Sequence, residues 1–175
     1  TGGTNALQLA ATYPGDVHAL ILLSPNIAIN DPNAWLLNNP WGLELATAVT
    51  GSRYRESSDK REEYKKYWNS PYRLEATVAL EEMLETSMNK ETFTKITQPL
   101  LLLYYYKDEE HQDNVVSVDA MKVMFEQLGT PSGLKKSEAF PNSGNHVITS
   151  NLLGKLTDKP IASSEAFLRD VVKLN

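Results

Sequence analysis

Two stretches of this chain are apolar without a break and short for helices: Ala19-Leu20-Ile21-Leu22-Leu23, and Leu100-Leu101-Leu102-Leu103 running on into Tyr104-Tyr105-Tyr106. A strand with one wet face alternates apolar and polar residues. A run with no alternation belongs to a strand covered on both faces. Such strands are typical of parallel sheets, in which each strand reaches the next through a crossover helix. The first run closes in Ser24-Pro25-Asn26, and the second in a charged loop from Lys107 to Asn114. Ligands of open parallel sheets bind at the carboxyl ends of the strands, so these loops are the first places to look for chemistry.

The segments between and around the runs supply the crossovers. Gly3 to Tyr13 reads as a helix with Ala6, Leu7, Ala10 and Ala11 on one face, ended by Pro14-Gly15. Val118 to Leu128 reads as a second, stopped by Gly129. Leu134 to Phe140 is a third strand, poorer in apolar residues and so nearer a sheet edge. Pro141-Asn142-Ser143-Gly144-Asn145 then leads to His146. Ser163 to Leu174 is expected to be an amphipathic helix capped by Ser163 or Ser164, with Phe167, Leu168, Val171 and Val172 inward. Between Asn26 and Ile96 the pattern is helical, polar and aromatic, with candidate helices over 33–49 (broken near Pro40), 59–68 and 74–88 and no strand. The expected organisation is a core of 1–25 and 97–175 interrupted by a helical cap over 26–96.

Composition narrows the function classes. With 41% hydrophobic and 22% charged residues, the 175-residue chain can bury a core. The net charge of −5 comes without a basic patch, which argues against nucleic acid as a partner. No apolar run approaches the roughly 20 residues of a membrane span. There is no cysteine, which excludes disulfides, thiolate catalysis and zinc–thiolate sites.

The remaining chemistry lies in three places: Thr1-Gly2-Gly3 before the first helix, Asp113-Asn114-Val115-Val116 after the second apolar run, and Gly144-Asn145-His146 after the third strand. In a nucleophile elbow, G-x-S-x-G, a strand turns sharply into a helix with glycines where side chains do not fit. If Thr1 and Gly2 are its last two positions, a serine belongs immediately before Thr1. An acid after a later strand and a histidine last of all complete the order serine, acid, base. On these residues the whole chain resembles the C-terminal half of an α/β-hydrolase of the capped esterase and lipase type. The resemblance implies Asp113 as the acid, His146 as the base and the backbone N–H of Thr1 as one oxyanion donor. Asp108, nearer the strand end, is the rival acid. The implied reaction is hydrolysis of a small carboxylic ester or related acyl compound, with no cofactor and no metal, and this stretch by itself would be inactive. A sheet cut in its middle is further expected to self-associate, or to pair with an N-terminal half, through its open edge.

Other readings stand beside these. Thr1-Gly2-Gly3 also fits an ordinary helix entry or an N-terminal threonine nucleophile. His146 also fits a packing role, while His18 abuts a strand start and His111 sits in an acidic loop. Asp108, Glu109, Glu110, His111 and Asp113 could together suggest a hard cation. Trp35, Trp41 and Trp68 fall in the expected cap, either packing it on the core or lining an apolar pocket, with packing favoured for Trp68. A non-catalytic binding protein or an acyltransferase of the same fold would share the pattern.

Overall fold

The computed structural model describes residues 1–154 and 158–174. Its centre is a three-stranded parallel sheet in the order β1 (Leu20–Leu23), β4 (Leu100–Tyr104), β5 (Lys135–Ala139), with Leu20 opposite Leu100 and Leu100 opposite Lys135. β4 is the middle strand, and all five of its residues are buried. Each of its leucines contributes about 1.5–3 kcal/mol by leaving water. Helices cover both faces. Leu7 and Ala10 of α1 (Gly2–Thr12) and Met121 and Met124 of α6 (Val118–Gln127) share one core with Leu100 and Leu102. Phe167 and Ile148 pack on Leu101 and Leu103 from the other side. The period of two along β4 thus sends alternate leucines into two different cores.

The two outer strands differ. β5 reads Lys-Lys-Ser-Glu-Ala, suited to an edge, whereas β1 reads Leu-Ile-Leu-Leu and leaves Leu23 43% exposed. The carboxyl end of β1 turns abruptly: Ser24 adopts a left-handed conformation with φ of 43°, and Pro25 lies against α1. A Cβ on Gly3 would sit 2.7 Å from Pro25 Cβ, so the helix entry comes this close only because position 3 lacks a side chain. The Thr4 hydroxyl then donates to the Asn26 carbonyl at 2.6 Å, locking the start of α1 to the loop after β1.

The segment between β1 and β4 holds a 3-10 helix (Ala34–Asn38), α2 (Gly42–Thr50), α3 (Glu62–Lys65), α4 (Glu75–Ser87) and α5 (Lys90–Thr94). It also holds an antiparallel pair, β2 (Tyr54–Arg55) with β3 (Tyr72–Arg73), where the sequence pattern indicates no strand. A two-residue strand is too short to show alternation. The charged stretch 59–68 forms only one turn of helix, because none of α3 is buried and surface ion pairs alone add little. At its end α5 rejoins the core: Phe93 and Ile96 are buried with Leu7 and Met121.

The C-terminal helix, α7 (Asp158–Phe167), begins before Ser163 and runs into a π-helical turn over Leu168–Val172. Ser163 and Ser164 are therefore interior residues and not caps. Ser164 donates to the Pro160 carbonyl one turn back and Ser163 to Glu138 of β5. No helix among the described residues is long and apolar enough to cross a membrane.

Candidate active site

The loop after β4 is built in two steps. A bridge between Tyr106 and Gln112 closes off a small turn from Lys107 to His111. The chain then docks on the segment that follows β1, through an antiparallel bridge between Ile29 and Val116 and through Ser117 N–H to the Ala28 carbonyl. Val116 is 1% exposed and anchors the loop in the core. Asp113 lies between these two anchors. Its backbone N–H reaches the Tyr105 carbonyl at 3.3 Å and its carbonyl accepts from Asn30 Nδ2 at 3.1 Å.

The Asp113 carboxylate is buried at 1% exposure. Burying a charge is costly unless its lone pairs find donors. Oδ1 accepts from the N–H groups of Val115 and Val116 at 2.9 and 3.1 Å, and Oδ2 faces His146 Nδ1 at 2.7 Å. The two oxygens thus have separate tasks: one fixes the carboxylate to its own loop, the other holds the imidazole.

His146 arrives from the loop after β5. Phe140 and Ile148, each buried, tether that loop at its ends, and Gly144 makes the turn with φ of 66°, a conformation that favours glycine. Asn145 Oδ1 accepts from Val147 N–H at 2.9 Å and so shapes the residues on both sides of the histidine. The imidazole is 27% exposed while the carboxylate it meets is fully covered. With Nδ1 held by the acid, Nε2 is the nitrogen left for proton transfer.

Asp108, the other candidate acid, engages a different partner. Its Oδ1 meets His111 Nδ1 at 2.6 Å and also accepts the N–H groups of Glu110 and His111. Those bonds, led by the one to the His111 ring, hold its carboxyl below the usual aspartate range. Tyr106 donates to Glu109 nearby, which raises the phenol's pKa. Among the described residues, no group of three or more His, Asp or Glu is arranged to hold a metal ion. His18 is exposed beside β1, away from these loops in sequence.

Thr1 occupies the N-cap position of α1. Its side chain is exposed. A cavity of about 870 Å³ joins Thr1 to Asn114 and Val115, the neighbours of Asp113. Its far wall comes from α4, through Ala76, Leu80 and Met83. The tryptophans are not part of it: Trp35 and Trp41 are half exposed, and Trp68 stacks on Tyr64 at 4.7 Å within the insert. Trp35 and Trp41 therefore do not line this cavity, whose far wall is α4. Asn30 is likewise a partner of the acid loop that no local pattern marks.

No protein-family model and no curated protein matches the sequence. Solved structures do. A metagenome-derived lipolytic enzyme superposes with a TM-score of 0.68 at 16% identity, over 96% of this chain and 61% of its own. The monoacylglycerol lipase of Paleococcus ferrophilus gives 0.60 at 14% identity, over 95% and 64%. Est1E of Butyrivibrio proteoclasticus, solved with ferulic acid, gives 0.54 at 17%, over 98% and 57%. The chain thus spans about three fifths of the length of the structures it matches. Identities this low establish shape, and together with the parallel order β1-β4-β5 and its crossover helices they show that the chain has the α/β-hydrolase fold, corresponding to the C-terminal part of that fold.

Proposed function

We propose that the full-length protein is a serine hydrolase in which Asp113 and His146 are acid and base, and that the nucleophile is a serine immediately before Thr1. The observation that carries this reading is the division of labour at Asp113: a buried carboxylate fixed by two backbone donors through one oxygen and facing imidazole Nδ1 through the other. That arrangement sets the tautomer that leaves Nε2 as a proton acceptor and stabilises the imidazolium once it forms. Nε2 takes the serine proton as Oγ attacks the ester carbonyl, then returns it to the departing alcohol. Water repeats the cycle on the acyl-enzyme. The Thr1 backbone N–H, at the positive end of α1, is one donor to the oxyanion. The insert acts as the cap that shapes the acyl pocket, since α4 supplies the wall facing Thr1. The chemistry needs no cofactor.

The test is covalent labelling. A fluorophosphonate probe, which reacts with activated serines, should modify the residue preceding Thr1 in the full-length protein, and His146→Ala should prevent it. A label elsewhere, or one indifferent to His146, rules the reading out. Alanine or glycine at that position would instead favour a binding protein of the same fold.

The apolar edge strand β1 supports a further partner. It is suited to pairing with another parallel strand, from the N-terminal part of the protein or from a second copy. The 175-residue chain expressed by itself should therefore associate, and light scattering at the monomer mass of 19.6 kDa would contradict that.

A further inference from the structure

The short ribbon of β2 and β3 gives the cavity at Thr1 two of its wall residues. Arg55 lies opposite Tyr72, and Tyr54 opposite Arg73. Residues directly opposite in an antiparallel pair share a face, and their neighbours along the strand take the other. Arg55 and Tyr72 accordingly line the cavity together with Ala76 and Leu80 of α4, whereas Tyr54 and Arg73 do not.

The two faces of the ribbon also differ in how their charge is balanced. Arg73 and Arg53 both reach Glu75, at 2.8 and 3.6 Å, and Arg61 reaches Asp59 at 2.6 Å. Arg55 is the remaining arginine of the insert, and it makes no hydrogen bond or ion pair among the described residues. The Tyr72 hydroxyl likewise has no partner among them. Asp31 shares the cavity wall, but its Oδ1 accepts from Asn33 N–H at 2.8 Å and it forms no ion pair with Arg55 among the described residues. A guanidinium offers a planar fork of N–H donors that matches a carboxylate, and the phenol adds one more donor on the same face. One guanidinium balances one negative charge, which fits a carboxylate better than a doubly charged phosphate. Arg55 is exposed, so the bound anion keeps part of its hydration.

We propose that Arg55 and Tyr72 bind a carboxylate carried by the ester at a distance from its reacting carbonyl, so that half-esters of dicarboxylic acids are preferred over uncharged esters of the same length. This rests on the reading of the Thr1 end of the cavity as the reactive one. Arg55 then sets specificity, and the acid–base pair is the same for both kinds of ester.

The experiment uses the full-length protein with p-nitrophenyl hydrogen adipate and p-nitrophenyl hexanoate, which differ only in a terminal carboxylate in place of a methyl group. Arg55→Gln should lower the adipate-to-hexanoate ratio of kcat/KM about fivefold, the upper range for an exposed ion pair. Arg55→Lys should lower it less, since it keeps the charge and loses the fork. Arg73→Gln, on the other face of the ribbon, should leave the ratio as it is. High salt should narrow the ratio in the unaltered protein and have little effect on it in Arg55→Gln. Binding is read without turnover in His146→Ala, by calorimetry with monomethyl adipate and methyl hexanoate. The adipate ester should bind more tightly, and adding Arg55→Gln should remove the difference. Equal binding of the two esters, or a preference that survives Arg55→Gln, overturns the subsite. Adipate-selective binding together with turnover that does not need His146 would overturn the proposed function and leave the subsite standing. Stronger competition by inorganic phosphate than by acetate would overturn the choice of a carboxylate.

Discussion

Among the described residues, two aspartate–histidine pairs have nearly equal geometry and very different standing. Asp108 meets His111 at 2.6 Å across three residues, and Asp113 meets His146 at 2.7 Å across thirty-three. The first pair is local to one turn and open to water, with the two side chains 48% and 55% exposed. The second joins loops from two strands, with its carboxylate fully covered. Distance alone does not separate them. Burial does, because water weakens the first interaction and competes for both partners, whereas the second is shielded and oriented by backbone donors. The pair we propose for proton transfer is the one that joins loops distant in sequence.

The largest expected contrast is in activity. In the full-length protein, His146→Ala should reduce ester turnover by about 10,000-fold or more. His111→Ala should leave it within about twofold, as for other surface changes away from a site. Equal effects, measured as kcat/KM on a p-nitrophenyl ester, would break the comparison.

Stability comes next. Asp113→Ala leaves the Val115 and Val116 N–H groups without their acceptor and the His146 ring without its partner. It should cost about 1–3 kcal/mol by denaturant unfolding. Asp108→Ala should leave the midpoint unmoved.

A third carboxylate sharpens the rule. Glu81 of α4 is buried at 7% exposure with Oε2 lacking a hydrogen-bond partner among the described residues. Burial, aided by Glu85, raises its pKa. A carboxyl whose folded pKa is raised contributes stability that is complete below the ordinary glutamate value and is lost as pH rises through the raised one. Glu81→Gln should therefore stabilise the protein by about 1 kcal/mol at pH 8 and by much less at pH 4. A thermal midpoint difference independent of pH would show that Glu81 carries no ionisation penalty.

The smallest effect belongs to the exposed pair. Asp108 should titrate below the ordinary aspartate range by NMR and return toward it in His111→Asn, because the bond to the His111 ring is the main cause of its shift. An unchanged titration would assign the shift to the backbone donors alone.

What could be read in advance follows the same divide between local and distant. Leu100 to Leu103 announced a strand covered on both faces, and Val118 to Leu128 a helix, since both patterns are complete within a few residues. The loops bearing Asp113 and His146 could be located by their place after strands. Patterns failed where neighbours decide: Tyr54–Arg55 and Tyr72–Arg73 pair only because the chain between them folds back, and Ser163 and Ser164 look like caps until the preceding turn is seen to be helical. The wall of the cavity was equally hidden, because Ala76, Leu80 and Met83 face Thr1 only once the chain between β1 and β4 has folded back.

The sequence by itself determined the parallel core, its crossover helices and the residue types at the strand ends, because periodicity and turn chemistry act over short separations. Only the tertiary structure decided that His146 meets Asp113 while Asp108 keeps His111, and that α4 faces Thr1 across a cavity. Those outcomes depend on which loops the sheet order β1-β4-β5 brings side by side and which groups that order removes from water.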